Sequence, residues 1–238
     1  MARTSRNDWL DQGLDALRDG GEGALTVDGL CARLGRTKGS FYHHFEDIAA
    51  FLAALLARWE ERQTSAPIHH AEAGGSPEQK RQRLSAVVRS LDGRLELAVR
   101  AWALRDVRAA AVLRRVDACR VDYLASLYTS GGSARGAALV LARLEYAAFI
   151  GAQMLFSDLS VDGARSLGLA LDRALELLAK DERALRLAED QSATYSMGAR
   201  QEDVRGKSRC GKRTLKAEPA RSAGCSDPAR RSSRGEEK

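Results

Sequence analysis

Proline is scarce in this chain. Its four prolines are Pro67, Pro77, Pro219 and Pro228, so residues 1–66 and 78–218 contain none. Proline inside a helix removes a backbone donor and clashes with the preceding turn, so helices can run unbroken through both stretches. Valine and isoleucine are also few beside leucine and alanine, which disfavours strands and predicts an all-α fold. No run of about 18 or more apolar residues occurs, so no transmembrane helix is expected. The N-terminal MARTSRNDWLDQGL lacks the apolar stretch of a signal peptide, and the expected location is the cytoplasm. The four cysteines, Cys31, Cys119, Cys210 and Cys225, show no C-x-x-C spacing, which argues against a zinc site and a disulfide framework. Nucleophile–base spacings, glycine-rich phosphate loops and paired-carboxylate motifs are missing too, so no enzyme, cofactor or metal is expected.

Positive charge is present but concentrated. The net charge is +6, and residues 199–238 hold twelve Lys and Arg against six Asp and Glu, a difference of +6. The rest of the chain is therefore formally neutral. Residues 1–60 lean acidic, with seven Lys and Arg against nine Asp and Glu.

What the chain does contain is helical periodicity. Leu10, Leu14 and Leu17 share one face before Gly20, Gly21 and Gly23 break the pattern. Thr26 is placed to cap a helix carrying Val27, Leu30, Cys31 and Leu34, and Gly35 follows where a helix end favours positive φ. Thr37 can cap a short helix through His44, and Asp47 the next, a long amphipathic one over about 47–62. Thr26 to Phe45 thus reads as a helix-turn-helix. Residues 64–77, TSAPIHHAEAGGSP, read as a loop or linker. Helical pattern resumes at about 77–129 with one interruption at Asp92–Gly93, then over about 134–156 and 162–188. A basic tail with the composition of disorder follows over 191–238.

The stretch LGRTKGSFYHHFED, residues 34–47, packs hydrogen-bond donors around two phenylalanines. Phe41 and Phe45, four apart, share the inward face of a helix. Lys38, Tyr42, Thr37 and Ser40 then project outward. In a helix-turn-helix this second helix enters the major groove of double-stranded DNA. Lysine there can donate to guanine or phosphate, and Thr37, Ser40, Tyr42 and His44 suit phosphate oxygens. Gly39 leaves room for the duplex, and Thr26 offers a hydroxyl and free amides to a phosphate. Tyr42-His43-His44 could otherwise form a metal or acid–base cluster, but neither histidine has a carboxylate at i+4.

LTVDGLCARLGRTKGSFYHHFEDIAAFLAALL resembles the DNA-binding domain of TetR-family transcriptional regulators over about residues 8–60. Gly35, Thr37, Lys38, Gly39, Ser40, Tyr42, His44 and Phe45 match that family's pattern in order and spacing. The family often has an apolar residue at Arg36, which here adds positive charge beside the motif, and commonly opens the fourth helix with a lysine where this chain has Ile48. The resemblance implies three regions: a three-helix helix-turn-helix domain over 1–60, a helical effector-binding and dimerisation domain over 61–190, and the tail. It implies a homodimer formed by the last two helices, with Leu144, Ala148, Gly151, Leu155, Leu171, Leu175 and Leu178 as candidate contacts. It also implies a small-molecule effector, with Trp102, Tyr123, Tyr128 and Phe149 either lining its pocket or packing the core. The function implied is ligand-responsive regulation, as a repressor, at a palindromic operator.

Overall fold

The computed structural model describes residues 4–156 and 158–181, and the expectations for the tail lie outside those residues. Every regular element among the described residues is helical. In chain order the helices are α1 (Arg6–Gly20), α2 (Val27–Leu34), α3 (Lys38–Tyr42), α4 (Ile48–Glu60), α5 (Ala66–Ala71), α6 (Pro77–Val88), α7 (Gly93–Ala103), α8 (Val107–Ser130), α9 (Arg135–Leu155) and α10 (Val161–Lys180). A 3-10 turn, Glu22–Ala24, precedes α2, and a π-helical turn, Glu61–Ser65, joins α4 to α5.

Local chemistry sets the first four boundaries. Ser5 and Asp8 form a reciprocal capping box at the start of α1. The Thr26 hydroxyl accepts from the Gly29 amide, Thr37 from Ser40, and the Asp47 carboxylate from Ala50. Each satisfies an amide that the first turn leaves unpaired. Gly35 ends α2 at φ 61°, a left-handed conformation that favours glycine.

The apolar faces of these helices meet in one core. Trp9, Phe41, Phe51, Leu55 and Trp59 are fully buried, and the cluster continues into Val99 and Trp102 of α7 and Val116 of α8. Burial of this kind, roughly 1.5–3 kcal/mol for each large side chain, holds α4 against both the short N-terminal helices and α7–α8. A Cβ on Gly13 of α1 would lie 2.6 Å from Phe51 Cζ and 2.9 Å from Leu55 Cδ1. That glycine is what lets α1 and α4 approach.

Two expectations about connections are corrected. Residues 64–77 are not a loop: helical backbone continues through the π turn and α5 to Ala71, and the true turn is the short segment 72–76. His69 and His70, expected in a loop, are exposed on α5. The guanidinium of Arg120 donates from Nη2 to the Gln63 carbonyl of that π turn at 3.2 Å. A side chain from a distant helix thus stabilises a stretch whose composition reads as linker. The second correction is a further break at residues 104–106 between α7 and α8. There the Asp106 carboxylate accepts from the amides of Arg108 and Ala109, starting a new helix.

α9 packs between α8 and α10. Ala137 and Leu141 of α9 close on Leu175 of α10, with Leu171 and Leu178 partly buried beside them. By length and composition α9 could cross a bilayer, although no run of 18 apolar residues exists; Arg143 and Glu145 interrupt it. Cys31 is a buried free thiol, and Cys119 is buried on α8.

Candidate nucleic-acid interface

The helix-turn-helix is built outward from its phenylalanines. Phe41 is fully buried with ring centroids 5.4 Å from Trp9 and 5.5 Å from Phe51, and the Phe45 ring lies 5.0 Å from Phe51. These edge-on and tilted contacts fix the rotation of α3 about its axis. The opposite face is thereby turned out: Thr37, Lys38, Gly39 and His43 are exposed, Tyr42 is 53% exposed, and Ser40 is half-buried. Thr26 is exposed at the start of α2. A Cβ on Gly39 would meet only the Thr37 hydroxyl at 3.8 Å, so nothing described in the chain requires glycine there.

Three expected DNA-contacting side chains already have partners. Lys38 Nζ lies 2.8 Å and 3.1 Å from the two carboxylate oxygens of Asp28, ten residues away on α2. Hydrogen bonding to Asp28 holds the lysine pKa above its ordinary value. Arg36 donates from Nε to the Thr4 hydroxyl, and His44 Nε2 lies 3.0 Å from the Thr4 carbonyl, which requires a proton on Nε2. Arg6 stacks over the Phe45 ring at 4.9 Å. Arg36 was expected to add positive charge beside the motif and His44 to donate to phosphate; in the structure both also hold Thr4, in the segment ahead of α1. No helical spacing in the sequence links Thr4 to Arg36 and His44, so only folding could reveal this.

The four aromatics considered for an effector pocket have different surroundings. Trp102 is 2% exposed and part of the core shared with α4. Tyr123 donates to Glu72 at 2.8 Å and Tyr128 to Glu145 at 2.6 Å, while Phe149 is half-buried on α9. A surface cavity of about 460 Å³ at the α5–α6 turn, lined by Gly75, Gln79 and Arg83 among others, includes none of them.

Behind α4 lies a polar cluster that periodicity did not reveal. Arg120 donates to both oxygens of Glu96, at 2.9 and 3.1 Å, to Thr64 Oγ1 at 2.9 Å and to the Tyr146 hydroxyl at 2.9 Å. Its guanidinium also sits 5.5 Å over the Trp59 ring. Arg100 reaches Asp117 at 2.7 Å and Glu96 at 2.8 Å. Two cations thus face two carboxylates, with Glu96 only 3% exposed. Burial pushes the Tyr146 hydroxyl pKa up. A second cluster joins α6, α8, α9 and α10: Arg81 lies 2.9 Å from Asp172 and 3.7 Å from Glu145. Burial raises the Glu145 pKa despite its Tyr128 and Arg81 partners.

Two capped helices joined by a glycine turn, the second presenting a polar face with its aromatics sealed inward, define a helix-turn-helix DNA-binding domain. Residues 10–55 match the family described as bacterial regulatory proteins, tetR family. Solved structures share the fold. The reduced form of Escherichia coli NemR matches at TM-score 0.59 and 20% identity, covering 71% of this chain and 95% of its own. A transcriptional regulator from Rhodococcus sp. Rha1 matches at TM-score 0.61 and 20% identity, covering 74% and 96%. The superantigen PfiT matches at 0.57 and 17%, covering 76% and 100%. None of the curated proteins matches the chain.

Proposed function

We propose that the protein is a homodimeric, ligand-responsive repressor that reads a palindromic operator through α2 and α3. Residues 1–60 form its DNA-binding domain, and residues 61–190 its effector-binding and dimerisation domain. The observation that carries this reading is the two-sided character of α3. Phe41 and Phe45 are sealed while Lys38, Gly39 and Tyr42 stand exposed on the other side. Thr26, Thr37, Ser40, Tyr42 and His43 add donors for phosphate oxygens around the lysine. Gly39 has no steric duty within the described chain, which suits close approach by a duplex.

One short helix reads too few base pairs alone, so a second copy is required, with half-sites about 34–36 Å apart. Exposed apolar stripes on the last two helices support that pairing. On α9 the stripe runs through Leu144, Ala148, Gly151 and Leu155, with Leu144 46% and Leu155 73% exposed. On α10 it runs through Leu167, Ala170, Ala174 and Leu177. Leu175, expected among the dimer contacts, is instead buried against α9 of its own chain, and Leu171 and Leu178 lean the same way. Effector binding would act through α4 and the π turn, because Arg120 and the Arg115–Glu60 pair tie that rod to α8.

Fluorescence anisotropy on DNA upstream of the protein's own gene tests the reading. The full chain binds with an affinity that falls steeply with salt. Lys38→Ala weakens binding by about tenfold and lowers the salt slope by roughly one ion, and Tyr42→Phe weakens it less. Binding unchanged by both substitutions overturns the assignment of α3.

A further inference from the structure

We propose that Asp28 and Lys38 act as one base-reading unit that selects a C·G base pair in each operator half-site. Asp28 accepts from cytosine N4, and Lys38 donates to guanine O6 or N7. The inference rests on the reading of α2 and α3 as the groove-facing surface. The two groups come from different helices yet meet at 2.8 Å, and the two side chains are 60% and 76% exposed for lysine and aspartate respectively. An ion pair so exposed contributes little to folding, and the packing of α2 on α3 is already held by Leu30 and Phe41, both fully buried.

The pair keeps capacity for a ligand. An ammonium has three donors and a carboxylate about four acceptor sites, so even contact with both carboxylate oxygens leaves both groups unsaturated. A carboxylate aimed at phosphates alone would be repelled, so its presence beside the lysine calls for a donor on the DNA. The major-groove edge of a C·G pair offers one: cytosine N4 donates while the neighbouring guanine O6 accepts. Those base atoms are themselves hydrogen-bonded neighbours, so their spacing matches that of the side-chain pair. Aspartate accepting from cytosine and lysine donating to guanine are the pairings this code favours.

Selection from a randomised duplex library with the full-length protein tests this, followed by anisotropy on the selected operator. Wild type enriches cytosine at one position of each half-site, and replacing that C·G pair lowers affinity about tenfold or more. Asp28→Ala loses the preference at that position and keeps the others. Asp28→Asn, nearly isosteric and so the control for folding, moves the preference to adenine, the base an amide reads. Matching thermal melts for both variants show that the domain is intact. An unchanged preference in Asp28→Ala overturns the proposal. Uniformly tighter binding to all sequences does so as well, because Asp28 would then act only as a negative charge near phosphate. If wild type enriches no sequence and shows no salt-dependent binding, the DNA-binding reading itself falls and takes the pair with it.

Discussion

Replacing Arg120 with methionine should destabilise the protein more than any surface change. The side chain makes five kinds of contact at once: the Gln63 carbonyl, Thr64, Glu96, Tyr146 and the Trp59 ring. Removing one partner of a buried ion pair typically costs about 3–5 kcal/mol. Glu96 keeps Arg100 at 2.8 Å, which places its share at the lower end. Losing the hydrogen bond to the Gln63 carbonyl adds roughly 1 kcal/mol. A total of about 4 kcal/mol lowers the folding constant by nearly three orders of magnitude. Guanidinium unfolding at fixed protein concentration reads this as a lower midpoint at unchanged slope. The double variant Arg120→Met/Glu96→Leu recovers part of the loss, because a buried pair replaced by apolar groups is often neutral. A loss below about 1 kcal/mol for Arg120→Met, or a double variant worse than the sum of the singles, refutes the account of Arg120 as the clamp on the π turn.

Gly13→Ala gains about 1 kcal/mol of helix propensity but forces Phe51 and Leu55 aside, at about 1–3 kcal/mol; a thermal melt shows net destabilisation. Glu145→Gln raises stability relative to wild type as pH climbs. The raised folded-state pKa of Glu145 means that its contribution is present below the ordinary glutamate range and fades as pH rises through the folded value. Unfolding curves for both proteins across that window show the gap widening with pH. Leu177→Glu, at a position 54% exposed on α10, shifts the molecule from dimer to monomer in light scattering while leaving the helical spectrum unchanged.

The helix-turn-helix was legible because it is local. Thr26, Gly35, Thr37 and Asp47 act on amides and turns within a few residues, and Phe41 and Phe45 need only helical spacing to share a face. The linker misreading has the opposite cause. TSAPIHHA has the composition of a loop, yet it stays helical through Ala71, and the Gln63 carbonyl just ahead of it is met by Arg120 from 57 residues away. The charged stretch RAWALRDVRAAAVLRRVDACRVDYL gave no sign of which charges turn inward. Only packing turned Arg100 and Arg120 inward onto Glu96 and left Arg105 and Arg108 at the surface.

By itself the sequence determined an all-helical chain, the place of its helix-turn-helix and the face that α3 turns outward, because period, caps and turn glycines are properties of neighbouring residues. Tertiary structure alone decided that Lys38 meets Asp28, that Arg36 and His44 hold Thr4, and that Leu175 faces inward. Those contacts join residues whose separation along the chain carries no periodic signal, and they exist only once the helices have packed.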